Sequence, residues 1–126
     1  MALIAIIDDD PDILDASTLV LKSKGYGTVS AMNPQDAYKL VKEKKPDLII
    51  LDVMMDEPDD GFYLAQKFRR EGITTPILMY SSVSKAIGLD FGKNEMVPVD
   101  DFVEKPISPD ELVAKVEALL SKKEVK

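Results

Sequence analysis

The sequence predicts an α/β fold on a parallel sheet, because short apolar runs alternate with helical patterns along the chain. The predicted strands cover residues 3–7, 28–31, 47–51, 77–80 and 101–103. The first and third runs do not alternate apolar with polar residues, which is typical of central strands covered by helices on both faces. Three of the runs end directly in aspartate or serine, so we expect these side chains to meet at the carboxyl edge of the sheet, where ligands bind.

The connecting helices begin at clear capping signals. Asp10, Asn33 and Ser108 each stand before a proline, which is tolerated at the first helical position because its missing N–H costs nothing there. Glu111 completes a capping box with Ser108. The predicted helices cover about residues 11–24, 34–45, 60–70 and 109–122, and we expect a short helix followed by a loop between 84 and 98.

Apolar residues at helical spacing predict the buried face of each helix. They are Ile13, Ala16, Val20 and Leu21 in the first helix, Ala37, Leu40 and Val41 in the second, Leu64, Ala65 and Phe68 in the third, and Leu112, Val116, Leu119 and Leu120 in the last.

Composition indicates one soluble globular domain. The 126 residues are 45% hydrophobic and 31% charged, which is enough to close one core. We assign residues 1–122 to this domain and residues 123–126 to a short tail. No signal peptide and no membrane-length apolar run is present, and the fold is independent of redox state because the chain has no cysteine, so we expect a cytoplasmic protein.

Charge and residue usage limit the chemistry. A net charge of −7 argues against binding to nucleic acid or to anionic membranes, so we expect protein partners. The chain contains no histidine, which removes the commonest general base and transition-metal ligand. Any chemistry must therefore use carboxylates, hydroxyls and lysine.

The central candidate site consists of Asp8, Asp9 and Asp52. Two unit charges about 4 Å apart repel by about 4 kcal/mol at an effective dielectric near 20, so a cluster of three ionised carboxylates calls for a cation. Mg²⁺ suits oxygen ligands, several waters and a phosphate. The alternative is that these aspartates only cap helices and form turns, which explains Asp10 well but not Asp52, because Asp52 precedes Val53 and has no cap to make.

Four segments follow one another along the chain: residues 6–14 (IIDDDPDIL), 48–52 (LIILD), 79–82 (MYSS) and 100–106 (DDFVEKP). In this order they resemble the signature of response-regulator receiver domains, and the likeness extends from Ile4 to about Leu120. The resemblance implies a flavodoxin-like, doubly wound sheet of five parallel strands in the order 2-1-3-4-5, with helices on both faces. It also implies a cytoplasmic signalling switch of a two-component phosphorelay.

Carried over to this chain, the resemblance implies that Asp52 is the phosphoacceptor, taking its phosphoryl group from a histidine of a partner kinase or phosphotransfer protein. Asp8 and Asp9 would hold Mg²⁺ together with Asp52 and the backbone carbonyl of Met54. Phosphoryl transfer needs an in-line nucleophile and cations that neutralise the spread charge, so this set is chemically coherent.

The resemblance gives the other motif residues roles in binding and switching. Ser81 would donate a hydrogen bond to the phosphoryl group, and Lys105 would pair with one of its oxygens. Phe102 would be the aromatic side chain that moves inward when the hydroxyl shifts. Since phenylalanine replaces the usual tyrosine, this switch residue has no hydroxyl to hydrogen-bond outward.

Some features depart from the family pattern. The step from Asp52 to Gly61 and the step from Ser81 to Lys105 are longer than usual, and Pro98 stands where the family often has glycine. Met54 and Val83 occupy positions that modulate water attack on the acyl phosphate in this family. Because both are apolar and cannot orient a water, we expect a long-lived phosphoryl form.

Other readings remain open at the level of sequence. The leading hypothesis is a stand-alone receiver, monomeric or weakly dimeric, that binds a downstream protein when phosphorylated and does not turn over a substrate. A phosphohydrolase of the haloacid-dehalogenase type would need an aspartate in place of Met54 and a larger chain. A flavin-phosphate binder is disfavoured because the aspartates after the first strand would repel the phosphate. A receiver that is never phosphorylated is disfavoured by the intact acid set. The tail is equally compatible with the start of a linker.

Overall fold

The computed structural model describes residues 2–52, 60–81, 101–104 and 108–125. Within them, five parallel strands form one sheet in the order β2-β1-β3-β4-β5. The strands are β1 (Leu3–Ile7), β2 (Gly27–Ala31), β3 (Leu48–Leu51), β4 (Ile77–Ser81) and β5 (Asp101–Glu104). The predicted strand order and the inner positions of the first and third strands are therefore confirmed, and each strand boundary lies within one residue of its prediction.

In the part of the chain that the structure describes, four helices connect or follow these strands. They are α1 (Pro11–Ser23), α2 (Pro34–Lys44), α3 (Asp60–Arg70) and α4 (Pro109–Val125). The three predicted caps are confirmed: Asp10 and Asn33 accept backbone N–H groups of their first turns, and the Ser108 hydroxyl accepts the N–H of Glu111 at 3.2 Å. The last helix runs three residues past its predicted end at 122. The helix and loop predicted between 84 and 98 lie outside the described residues.

The helices cover both faces of the sheet. On one face, alternate strand residues such as Ile49 and Leu51 pack with α2 and α3, where Phe68 is the largest fully buried side chain. On the other face, Ile50 and its neighbours pack with residues of α1 and α4. The strand β3 is thus apolar on both sides, which explains its unbroken LIIL sequence. Among the described helices, none combines the length and the apolar character that a bilayer crossing requires.

The predicted buried stripes are largely confirmed, but that of α1 was partly wrong. Its buried residues are Leu14, Ser17 and Leu21, whereas the predicted Ala16 is exposed. The helix is rotated so that a serine lies in the middle of the buried stripe. A serine is accepted there because its side chain is small, and apolar spacing alone does not reveal it.

A polar network ties α2 to the end of α3. The Tyr38 hydroxyl donates to both carboxylate oxygens of Glu71 at 2.6 and 2.8 Å, and Lys42 pairs with the same carboxylate at 2.9 Å. These hydrogen bonds, first from Tyr38 and then from Lys42, hold the pKa of Glu71 below its ordinary value. The Tyr38 ring stacks on Phe68 with centroids 6.4 Å apart. The two helices are therefore joined by both packing and charge.

Candidate metal centre at the carboxyl edge of the sheet

Two aspartates follow directly from adjacent central strands. Asp8 is the residue after β1, and Asp52 is the residue after β3. The register pairs Ile7 with Leu51, and the ladder continues one step further because the Asp52 N–H donates to the Ile7 carbonyl at 2.9 Å. The backbone at both aspartates is thus fixed by the sheet, and the two carboxylates are brought to the same edge.

A third carboxylate completes the group. Asp8, Asp9 and Asp52 each offer an oxygen, and these oxygens all lie within 4.8 Å of one another. Asp8 and Asp52 are only 2% and 5% exposed, whereas Asp9 faces solvent. The cluster therefore combines two buried carboxylates with one that is exposed. The predicted convergence of these three residues is confirmed.

The donor set fits a hard divalent cation. Mg²⁺ binds oxygen ligands at about 2.0 to 2.1 Å in octahedral geometry, so two of its ligands are never more than about 4.2 Å apart. The three carboxylate oxygens lie within 4.8 Å of one another, so small side-chain rotations would bring them to the distances of an Mg²⁺ site. A water between one carboxylate and the ion would serve equally. Mg²⁺ commonly retains several waters and binds phosphate oxygens, so three carboxylates are a sufficient protein contribution.

The remaining predicted site residues divide into two groups. Ser81 is the last residue of β4 and pairs in register with Glu104, while Phe102 of β5 pairs with Met79. Ser81 therefore lies on the strand next to β3, and Phe102 lies on the edge strand beyond it. Met54, Val83 and Lys105 lie outside the described residues, so their predicted roles remain predictions.

Sequence reasoning missed one contact in the site. The backbone N–H of Asp10 donates to Oδ1 of Asp8 at 2.9 Å. Asp10 was interpreted only as the cap of α1, which it is, since its Oδ1 accepts the Asp12 N–H at 2.9 Å. The run Asp8-Asp9-Asp10 contains a signal for this bond, because aspartate often accepts the N–H two residues further along. Helix α1 is thereby linked to the acid cluster.

The structure resembles solved receiver domains over nearly its whole length. The receiver domain of the Francisella response regulator 1452 matches with a TM-score of 0.87 at 26% identity, covering 98% of this chain and 99% of that chain. The receiver domain of NtrX from Brucella abortus matches with a TM-score of 0.82 at 25% identity, covering 94% and 98%.

Sequence comparisons agree. The chain is 33% identical to the alkaline phosphatase synthesis transcriptional regulatory protein PhoP of Bacillus subtilis (strain 168), over 97% of this chain and 50% of that protein. It is 36% identical to the phosphate regulon transcriptional regulatory protein PhoB of Pseudomonas aeruginosa, over 93% and 51%. The chain thus spans about half the length of these curated relatives. The sequence profile of the response regulator receiver domain matches residues 4–117, and the chain therefore belongs to the receiver domains of two-component response regulators.

Proposed function

We propose that this receiver domain is a phosphorylation switch in which Asp52 accepts a phosphoryl group from a histidine of a partner kinase or phosphotransfer protein. The observation that carries the proposal is the convergence of Asp8, Asp9 and Asp52 within 4.8 Å at the carboxyl edge of the sheet. In this family such an edge is expected to hold the phosphoacceptor. The domain assigned to this role is residues 1–122.

The transfer step follows from the position of Asp52. A carboxylate oxygen of Asp52 attacks the phosphorus of the donor phosphohistidine; a P–O bond forms and the P–N bond breaks. The histidine nitrogen keeps the electron pair of the broken bond and takes up a proton from water. Since the 126 residues contain no histidine, the donor histidine lies outside them.

Asp8 and Asp9 would hold the cation, with Asp52 and the backbone carbonyl of Met54 as further ligands. When bound, Mg²⁺ supplies positive charge that offsets both the carboxylate cluster and the phosphoryl oxygens. Burial of Asp8 and Asp52 strengthens this charge interaction, because less water screens it. Asp9 is the solvent-exposed member of the cluster.

Ser81, Lys105 and Phe102 would convert phosphorylation into a change of surface. Ser81 would donate to a phosphoryl oxygen, and Lys105 would pair with another. The strands β4 and β5 are adjacent, and Phe102 pairs with Met79, two residues before Ser81. This proximity supports a mechanical coupling between Ser81 and Phe102. A shift of the Ser81 hydroxyl would then be followed by movement of the Phe102 ring toward the interior and a change in affinity for a downstream protein.

Several further properties belong to the same proposal. The acidic balance of −7 favours protein partners over nucleic acid or membranes. We expect a cytoplasmic domain, monomeric or weakly dimeric, with slow loss of its phosphoryl group because Met54 and Val83 cannot orient an attacking water. The named relatives are transcriptional regulators, and this chain matches about half of each.

Intact-mass measurement tests the proposal. After incubation of the full chain with Mg²⁺ and acetyl phosphate, we expect a single phosphate-sized adduct, because the small donor replaces the phosphohistidine. The same incubation with excess EDTA should give no adduct, since the cluster then lacks its cation. An equal yield with and without Mg²⁺ would contradict the proposed metal requirement.

A further inference from the structure

Asp10 joins two hydrogen-bonded turns between β1 and α1. Its side-chain Oδ1 accepts the N–H of Asp12 at 2.9 Å and so caps α1. Its own backbone N–H donates to Oδ1 of Asp8, also at 2.9 Å. One residue therefore contacts both the first turn of the helix and the acid cluster.

Asp8 is held at both its backbone and its side chain. Its backbone N–H donates to the Ala31 carbonyl at 3.1 Å, which fixes the main chain against β2. The Asp10 N–H holds one carboxylate oxygen, and the residue is only 2% exposed. The Asp10 N–H is thus one of the groups that hold the buried Asp8 carboxylate, and a change in its direction would alter the orientation of Oδ1.

The direction of that N–H depends on the helix cap. Asp10 has extended backbone angles of φ −95° and ψ 111°, and its carbonyl accepts the first helical bond from Leu14 at 3.1 Å. Pro11 disfavours a helical conformation at Asp10, which supports the same geometry. Removing the side-chain cap would allow the first turn to fray, and the Asp10 backbone would then lose its fixed position.

We propose that Asp10 is a positioning residue for the metal centre: by capping α1 it keeps its N–H against Asp8 and so orients the Asp8 carboxylate for the cation. The proposal rests on the proposed function, because it takes Mg²⁺ to be the ligand of the cluster. Asp10 acts through its capping geometry and not through its charge. Its carboxylate is directed to the N–H of Asp12, so a neutral side chain that caps equally well should serve equally well.

The chain offers a matched control for cap loss. Asn33 is the side-chain cap of α2: it accepts the Asp36 N–H, three residues further along, at 2.8 Å, whereas Asp10 accepts the N–H two residues further along. Asp10→Ala and Asn33→Ala each remove one cap, while Asp10→Asn removes the charge and keeps the cap. Asp12→Asn removes a charge from the same turn and leaves the backbone donor of Asp12 in place.

The test is isothermal titration of Mg²⁺ into the full chain, with a thermal melt of each variant without metal. We expect Asp10→Ala to weaken Mg²⁺ binding by about tenfold, the order of effect found for groups that orient metal ligands. Asp10→Asn, Asp12→Asn and Asn33→Ala should bind Mg²⁺ like the native chain. The two alanine variants should lose similar stability, which separates metal positioning from stability alone.

Three other results of these titrations would each contradict a different part of the proposal. Equal weakening by Asp10→Asn and Asp10→Ala would show that charge, and not the cap, matters. An unchanged affinity in Asp10→Ala, or a loss in Asn33→Ala as large as in Asp10→Ala, would show that the cap has no specific role at the metal. If the native chain bound no Mg²⁺, the proposed function would fail first and this inference with it.

Discussion

Asp52→Asn is expected to reduce formation of the phosphate adduct to below detection. Asparagine has nearly the same shape as aspartate, so the backbone bond from the Asp52 N–H to the Ile7 carbonyl should persist. The neutral amide, however, lacks the anionic oxygen that attacks phosphorus. Intact-mass measurement after incubation with Mg²⁺ and acetyl phosphate should therefore show the unmodified mass alone.

The same strand provides the control for this substitution. Asp47 lies before β3, at the opposite edge of the sheet, where its Oδ2 accepts the Leu3 N–H at 2.8 Å. Asp47→Asn keeps an acceptor oxygen at this position and should be phosphorylated like the native chain. An adduct of undiminished yield on Asp52→Asn would mean that another residue is the acceptor, and absence of any adduct on the native chain would favour a receiver that is not phosphorylated.

Asp8→Asn is expected to stabilise the metal-free fold and to weaken Mg²⁺ binding. Ionised carboxylates with oxygens within 4.8 Å repel by about 3 kcal/mol at an effective dielectric near 20. Asparagine retains Oδ1 as the acceptor for the Asp10 N–H, so the turn is preserved while one charge is lost. We expect the free energy of unfolding to rise by about 1 to 3 kcal/mol, and Mg²⁺ affinity to fall at least about tenfold, or about 1.4 kcal/mol.

Chemical denaturation with and without Mg²⁺ measures both effects. Mg²⁺ should stabilise the native chain, because a ligand that binds only the folded state raises its stability, and it should stabilise Asp8→Asn much less. Asp15→Asn removes an exposed acid of α1 outside the cluster and should change neither quantity. A less stable Asp8→Asn variant with unchanged Mg²⁺ stabilisation would contradict the electrostatic account of the site.

Much of this fold is predictable from local sequence, because strands and caps have simple causes. The unbroken apolar run at Leu48–Leu51 predicts a strand buried on both faces, and Asp10, Asn33 and Ser108 predict helix starts. Strand ends are less predictable. Ser81 belongs to β4 because it pairs with Glu104 across the sheet, which a serine in isolation does not indicate.

The face that a helix buries depends on its neighbours as well as on its own pattern. Apolar spacing favoured Ala16 for the interior of α1, yet packing against the sheet and α4 buries Leu14, Ser17 and Leu21. One helix can offer two apolar stripes, and the tertiary contacts choose between them. Sequence periodicity alone therefore predicts that the segment is a helix, but it does not predict which face of the helix is buried.

The acid cluster was predictable because strand order and strand ends together determine it. Once β1 and β3 are adjacent and parallel, Asp8 and Asp52 must meet at one edge. The bond from the Asp10 N–H to Asp8 has a weak signal in the two-residue spacing, but whether it forms depends on how the chain turns from β1 into α1. The residue that follows a strand can be identified from sequence, whereas the direction of one N–H in a turn requires coordinates.

The position of the phosphoryl group tests the central claim most directly. Borohydride reduces an aspartyl phosphate to homoserine, so peptide mass spectrometry after reduction identifies the modified residue. For the native chain treated with Mg²⁺ and acetyl phosphate, we predict homoserine at position 52 and at no other acidic residue. Homoserine at position 8 or 9, or a phosphate adduct that borohydride does not convert, would contradict the assignment of Asp52 as the phosphoacceptor.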